Sequence, residues 1–320
     1  MCLTVPCCRD EIATKHNLTS GMLLATFHYN HMRSQLAFLL TTLLVVGCGQ
    51  TDTPTTTAAT PTPKQPTPTI DNDYGNVNLK TGNPSKATTD PANAANYLLL
   101  KPQYVLSYSK SRNGANWASW NLNKSWMGDA KRQNDFRPDA SLPKGWYKVT
   151  TKDYTGSGFD RGHLVNSEDR GQSVETNSST FLMVNILPQS PDNNQGVWVQ
   201  LEEYSRDLAK QGKELYIVAG GHGTGGEGKN GKASQVKGKI SVPATMWKVV
   251  LVLDNPAKGL AGVNAKSRTI AVIMPNKQGR EGKWQDFCAT VGDVEKLTGY
   301  DFFSNVPPDI QKQIESKKGC

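Results

Sequence analysis

Cysteine, histidine and long apolar runs are all scarce in this chain, and each scarcity removes a class of function. Of six cysteines, Cys2, Cys7, Cys8 and Cys48 fall early, leaving only Cys288 and Cys320 in the body. With no Cys-x-x-Cys pair, a zinc knuckle is excluded. The two remaining thiols are compatible with one disulfide outside the cell, or with two free cysteines. Of five histidines, His16, His28 and His31 precede Val46, so a histidine that catalyses is His163 or His222. The apolar run Leu36–Val46 is too short to span a bilayer as a mature helix. An acidic excess is also missing: 36 Lys and Arg stand against 28 Asp and Glu, for a net charge of +8. Such a surface attracts polyanions and equally serves solubility, so charge admits nucleic acid, anionic lipid or cell-wall polymer without choosing among them.

What is present begins with an export signal. Met32-Arg33 precedes the apolar run, which closes on Val45-Val46-Gly47-Cys48. A positive residue, an apolar core and a small residue in that order make a secretory signal. The last four residues resemble a bacterial lipobox, whose cysteine is acylated and becomes the mature N-terminus. An ordinary signal peptide cleaved nearby would export the chain as well. The division that follows is 1–31 as an upstream extension, with Met32 a candidate start, and 32–47 as the signal peptide. Residues 48–77 form a lipidated Cys48 and a linker, and 78–320 a single domain. From Thr51 to Thr69, 14 of 19 residues are Thr or Pro, a composition that buries no apolar surface and favours an extended spacer. The protein is expected outside the cytoplasm, lipid-anchored and facing the periplasm or cell exterior, or secreted.

In the body, Tyr104–Tyr108, Thr180–Leu187, Leu215–Ala219, Trp247–Leu253 and Thr269–Met274 read as strands. Asn194–Gln211, ended by Gly212, and Val291–Leu297, ended by Thr298-Gly299, read as helices. Strands dominate and do not alternate regularly with helices, which predicts an α+β fold with a mostly antiparallel central sheet flanked by helices. Gly226–Lys232 nearly matches a phosphate-binding P-loop, but Ala233 stands where the Ser or Thr that holds Mg²⁺ must be. The residues after it, Val236–Val242, read as strand rather than as the required helix, so a flexible surface loop is expected.

His222 sits among glycines, where a solvated side chain is the default. His163 lies in Asp160-Arg161-Gly162-His163. If this stretch is extended, Arg161 and His163 share a face while Gly162 admits a close neighbour. A cation beside a base suits attack on a phosphodiester, although a surface ion-pair cluster explains the same residues. Asn194, Trp198, Glu202 and Arg206 recur every four residues and line one face of the expected helix. Val197, Leu201, Tyr204 and Leu208 supply an apolar stripe for the core. An amide oxygen and a carboxylate at successive turns suit Mg²⁺, which takes few protein oxygens and keeps several waters. A solvated Glu202–Arg206 pair is the structural alternative.

Asp160-Arg161-Gly162-His163 is also the signature of the DNA/RNA non-specific endonucleases, the ββα-metal nucleases, and the chain resembles that family well beyond it. The likeness includes Phe181–Gln189, Asp192-Asn193-Asn194, Leu201-Glu202, Gly128–Asp139 and Leu297–Phe302. The resemblance implies a ββα-metal nuclease fold. It implies an endonuclease that hydrolyses DNA and RNA, single- or double-stranded, and leaves 5′-phosphate ends. It also implies Mg²⁺, for which Mn²⁺ substitutes. His163 matches the general base, Asn194 the direct protein ligand of the ion, and Glu202 the carboxylate that orients the ion's waters. Arg132, Arg161 and Arg206 match the arginines that grip phosphate. Asp160 matches the motif's first residue and, lying off the shared face, is expected only to support the ion through water.

Two stretches depart from the family pattern. Leu164-Val165-Asn166-Ser167 replaces a more usual Ala-Pro-Ser stretch, and Gly220–Lys239 is longer than usual. Neither is expected to touch a matched position. A surface lipoprotein that binds DNA without cutting it would explain the signal, spacer and charge equally well. It would not explain His163, Asn194 and Glu202 at their spacing, since grip on phosphate needs only Lys and Arg. No protein inhibitor is identifiable from the sequence.

Overall fold

The computed structural model describes residues 76–279 and 281–320. The upstream extension, the signal segment, Cys48 and the linker as far as Gly75 lie outside the described residues. The strands are β1 (Tyr97–Leu100), β2 (Val105–Ser109), β3 (Gly114–Leu122), β4 (Asp160–His163), β5 (Ile186–Gln189) and β6 (Glu214–His222). After them come β7 (Gly226–Gly228), β8 (Gly231–Ala233), β9 (Gln235–Val236), β10 (Ile240–Ser241), β11 (Thr245–Leu253), β12 (Arg268–Pro275) and β13 (Cys288–Ala289). The α-helices are α1 (Thr151–Tyr154), α2 (Val174–Ser179), α3 (Val199–Lys210), α4 (Val291–Thr298) and α5 (Pro308–Glu315).

Seven strands form one antiparallel sheet in the order β1-β2-β3-β6-β11-β12-β13. Its two faces follow from side-chain alternation along β11. Met246, Val250 and Val252 join the core beneath α3, while Trp247, Val249, Leu251 and Leu253 join the core beneath α4 and α5. With both faces covered, the central strands need no polar side, which is why they read as continuous apolar runs. α4 ends as expected, on Gly299 in the left-handed conformation at φ 75°. Cys288 and Cys320 form a disulfide that ties β13 to the C-terminus.

Four expectations are corrected. Thr180–Leu187 is mostly turn, with a short 3-10 segment at Met183–Asn185, and only Ile186 onward pairs as β5. β3 lies at the heart of the sheet and was not read as a strand. Its Gly, Ala, Ser and Asn residues have little strand propensity, and all nine of its positions are buried. The helix expected from Asn194 is regular only from Val199. Before it runs a π-type turn, Asn193–Trp198, broken by Gly196 at φ −106° and ψ −108°. Finally, the glycine-rich stretch is an ordered pair of hairpins rather than a loose loop. Gly228 packs so close to Gly158 that an added Cβ would lie 2.5 Å from its carbonyl oxygen. Val236, Ile240 and Val242 are buried in a small third core with Phe159 and Ile186.

Candidate active site

β4 is an outlying strand that pairs antiparallel with β5 alone, Asp160 opposite Gln189 and His163 opposite Ile186. Gly162 is needed there because the Gln189 side chain lies across it. A Cβ at 162 would overlap Gln189 Oε1 and come within 2.6 Å of its Cβ. Arg161 and His163 do fall on one side, and Phe136 shows it: the His163 ring centroid is 5.4 Å from that of Phe136, and the Arg161 guanidinium is 4.2 Å from the same ring. Phe181 meets the imidazole edge-on at 5.0 Å.

His163 is buried, and among the described residues its Nε2 has no hydrogen-bond partner. Burial, then the charges of Arg132 and Arg161, depress its pKa from 6.5 to about 3. All three causes penalise the imidazolium, so the ring is neutral at ordinary pH and Nε2 is free to accept a proton.

An open cleft of about 640 Å³ has Arg132, Phe136, Asp160, Arg161 and Asn194 in its walls; His163 is not in this lining but packs against its Phe136. Arg132 is held by Ser167 Oγ at 2.7 Å and Asn134 Oδ1 at 2.9 Å, with its guanidinium 4.9 Å from the Phe181 ring. Asp160 Oδ2 accepts from Asn194 Nδ2 at 2.9 Å and from Gln195 Nε2 at 2.7 Å. Because the carboxylate can only accept, it fixes which way the Asn194 amide points and leaves Oδ1 as the donor atom for a cation. Among the described residues no three His, Cys, Asp or Glu side chains converge into a metal-holding group. The Asn194 oxygen with the Asp160 charge behind it therefore suits a hard cation that takes few protein oxygens and keeps its waters.

Glu202 and Arg206 sit elsewhere, buried on the inner face of α3 beside Trp198. They do not form the solvated pair with each other that their spacing allows. Glu202 Oε2 accepts from Asn166 Nδ2 at 2.6 Å, and its Oε1 is 3.7 Å from Lys248 Nζ. Arg206 is engaged by Glu168 at 2.8 Å and Asp169 at 3.3 Å, so its guanidinium braces a turn instead of lining the cleft. Trp120 Nε1 donates to the second Asp169 oxygen at 2.9 Å. Burial raises the Glu202 pKa, against which Lys248 is the strongest opposing influence.

The stretch after His163 was expected to leave the matched positions alone, and here the structure disagrees. Its Asn166 bonds Glu202 and its Ser167 bonds Arg132, and the next two residues hold Arg206. Asn166, Asp169 and Lys248 were all missed as site residues. Lys248 did leave a trace, as a lone charge inside the apolar run Trp247–Leu253.

Residues 81–309 match the family model for DNA/RNA non-specific endonucleases. The chain is 51% identical over 241 residues to a nuclease of Nostoc sp. (strain PCC 7120), covering 75% of this chain and 85% of that one. It is 34% identical to human mitochondrial endonuclease G, over 65% of this chain and 70% of the relative. Against the mitochondrial nuclease EXOG of Danio rerio it is 32% identical, over 66% of this chain and 60% of that protein's length. A chain in the crystal structure of the EndoG/EndoGI complex superposes with a TM-score of 0.60 at 22% identity, covering 76% of this chain and 96% of that one. At that identity the superposition speaks for the fold.

Proposed function

The chain belongs to the DNA/RNA non-specific endonuclease family and has its α+β, ββα-metal fold; from that premise we propose that it is an endonuclease hydrolysing the phosphodiester bonds of both DNA and RNA with Mg²⁺ or Mn²⁺. The observation that carries this reading is a neutral histidine whose Nε2 has no partner among the described residues, packed against Phe136 and under the charges of Arg132 and Arg161, three residues that line an open cleft. In this reading Asn194 Oδ1 would hold the ion, with Asp160 orienting the amide. The ion, when bound, supplies positive charge at the phosphate and the leaving oxygen.

The residues of the chain do the rest. His163 Nε2 takes a proton from water as the water oxygen attacks phosphorus. Arg132 and Arg161 neutralise the non-bridging oxygens as charge builds on them. The bond from phosphorus to the 3′-oxygen breaks, that oxygen takes up a proton through water oriented by Glu202, and the phosphate stays on the 5′-carbon. Arg206 contributes from behind by bracing the turn that carries Asn166 and Ser167. Every assigned contact is to phosphate, ion or water, none to a base edge or 2′-hydroxyl, so duplex and single strands of either sugar are substrates. The superposed structure is of the EndoG/EndoGI complex and concerns inhibition of EndoG, and a protein inhibitor seated over this cleft is the corresponding partner of this chain in our reading.

The test is incubation of the purified protein with plasmid, single-stranded DNA and RNA, each with Mg²⁺, with Mn²⁺ and with excess chelator, followed by analysis of the ends. Cutting of all three with metal, none with chelator, and 5′-phosphate products support the reading. Binding without cutting returns the chain to the DNA-binding lipoprotein class. Export through 32–47 and anchoring at Cys48 are part of the proposal and rest on the sequence alone; among the described residues no helix is long and apolar enough to cross a membrane.

A further inference from the structure

β11 carries a lysine at a position where alternation calls for core. Its neighbours on that face, Met246 and Val250, are fully buried, and Lys248 is itself only 1% exposed. Its Nζ lies 4.1 Å from the Trp198 ring centroid and 5.8 Å from that of Trp120. The acidic side chain it reaches is Glu202, at 3.7 Å. Arg206, the other buried cation nearby, is already occupied by Glu168 and Asp169.

Stability gives no reason for this arrangement. Taking two charges out of water costs several kcal/mol per ion, and a 3.7 Å contact recovers it only in part. A methionine of similar length at 248, opposite an uncharged residue at 202, would fill the same space at no such cost. The pair is better understood from the cleft side. The Glu202 charge acts on Arg132 in the cleft wall, and among the described residues two groups contact its carboxylate: Asn166, from the turn whose Ser167 holds Arg132, and Lys248, from the central sheet.

Resting on the nuclease reading above, we propose that Lys248 is a positioning residue for Glu202: with Asn166 it clamps the carboxylate between turn and sheet and supplies the counter-charge that holds it in one orientation. The ring of Trp198 in turn fixes the ammonium, so the sheet sets where the carboxylate points. Burial drives the Lys248 pKa down and that of Glu202 up, and each opposes the other's shift, as a mutually dependent pair requires.

The test compares Lys248→Met, Glu202→Gln and the double variant with wild type. Lys248→Met is expected to lower kcat on DNA roughly 10- to 100-fold, the usual effect of removing an outer partner, with KM within about threefold. In the Glu202→Gln background it should lower kcat less than about threefold further. In metal-free buffer, Lys248→Met should lower the melting temperature and the added Glu202→Gln should restore part of it, since the unpaired buried charge is then gone. If kcat stays within about threefold of wild type, or if the loss is equal in both backgrounds and the melting losses simply add, Lys248 does not act through Glu202. Should Lys248→Met melt below the assay temperature, Asn166→Ala carries the same comparison from the other side of the carboxylate. A wild-type chain that cuts no nucleic acid overturns the nuclease reading itself, and this inference with it.

Discussion

Asp160 holds Asn194: the carboxylate Oδ2 accepts the amide Nδ2 at 2.9 Å across the gap between β4 and the turn before α3. The strand that presents Arg161 and His163 is thereby hydrogen-bonded to the residue assigned to the ion. The proposed base and the proposed metal ligand come from separate elements, and this bond sets one against the other. It also gives the first residue of the Asp-Arg-Gly-His motif a task that alternation alone leaves unexplained.

Asp160→Ala should therefore free the Asn194 amide to rotate and raise the Mg²⁺ concentration needed for half-maximal cleavage roughly 10- to 100-fold. Asn194→Ala should raise it further and also lower the rate at saturating Mg²⁺. Titrating Mg²⁺ in a plasmid-nicking assay ranks the two. An Asp160→Ala protein with the wild-type Mg²⁺ curve would show that the carboxylate does not orient the ligand.

Gly162→Ala tests the packing under the motif. The new methyl would overlap the Gln189 side chain, which lies buried between β4 and the turn before α3. Gln189 has little room to yield, because its Nε2 is bonded to Asn193. The expected cost is about 1–3 kcal/mol of stability, with a loss of activity larger than the melting temperature alone would explain. Thermal melts and kcat on the same preparation measure both. Full activity with an unchanged melting temperature would mean that the β4–β5 register is not under this constraint.

The parts legible in the sequence were those where one physical signal acts alone. β6, β11 and β12 show as apolar runs because both their faces are buried, and α4 shows because Gly299 ends it. β3 escaped notice because it is buried among rings and small side chains, with neither alternation nor β-branched residues to mark it. The turn at Gly196 was invisible for another reason: a four-residue period continues through it, so Asn194 seemed to share a straight face with Glu202. The cleft arginines could be read from the family resemblance, Arg161 in the motif and Arg132 in Gly128–Asp139, whereas the partners of Glu202 could not. Asn166 and Lys248 are 36 and 46 positions away, and only the folded sheet brings them to one carboxylate.

Cys48→Ser should move the protein from the membrane fraction to the soluble fraction, or block its processing, without altering the catalytic domain. The motivation is Val45-Val46-Gly47-Cys48 followed by the Thr/Pro spacer. One acyl chain binds membranes only marginally, so firm anchoring depends on the multiple chains that a lipobox cysteine receives. Fractionation with N-terminal sequencing decides it. Wild-type protein free in the medium, beginning at or near Gly49, would end the anchoring proposal while leaving export intact.

His163, the proposed base, also bears on acid stability. The fold holds its pKa at about 3, below the 6.5 of an ordinary imidazole, because burial and the two nearby arginines disfavour the charged form. Between those values an unfolded chain takes up a proton that the folded chain refuses. The histidine's contribution to stability is thus complete above pH 6.5 and is lost as pH falls from 6.5 towards 3, on the order of 5 kcal/mol across the whole window. His163→Gln cannot titrate, so its melting temperature should fall less than that of wild type between pH 7 and pH 4. The same variant should bind DNA in chelator nearly as wild type does and lose roughly 10²- to 10⁴-fold in turnover. In the wild-type protein, kcat/KM reports the free enzyme and should show no histidine limb between pH 8 and pH 5. The limb in kcat should appear at higher pH, because a bound phosphate stabilises the imidazolium. A kcat/KM limb centred near pH 6.5, absent in His163→Gln, would place the imidazole in solvent and contradict its position behind Phe136.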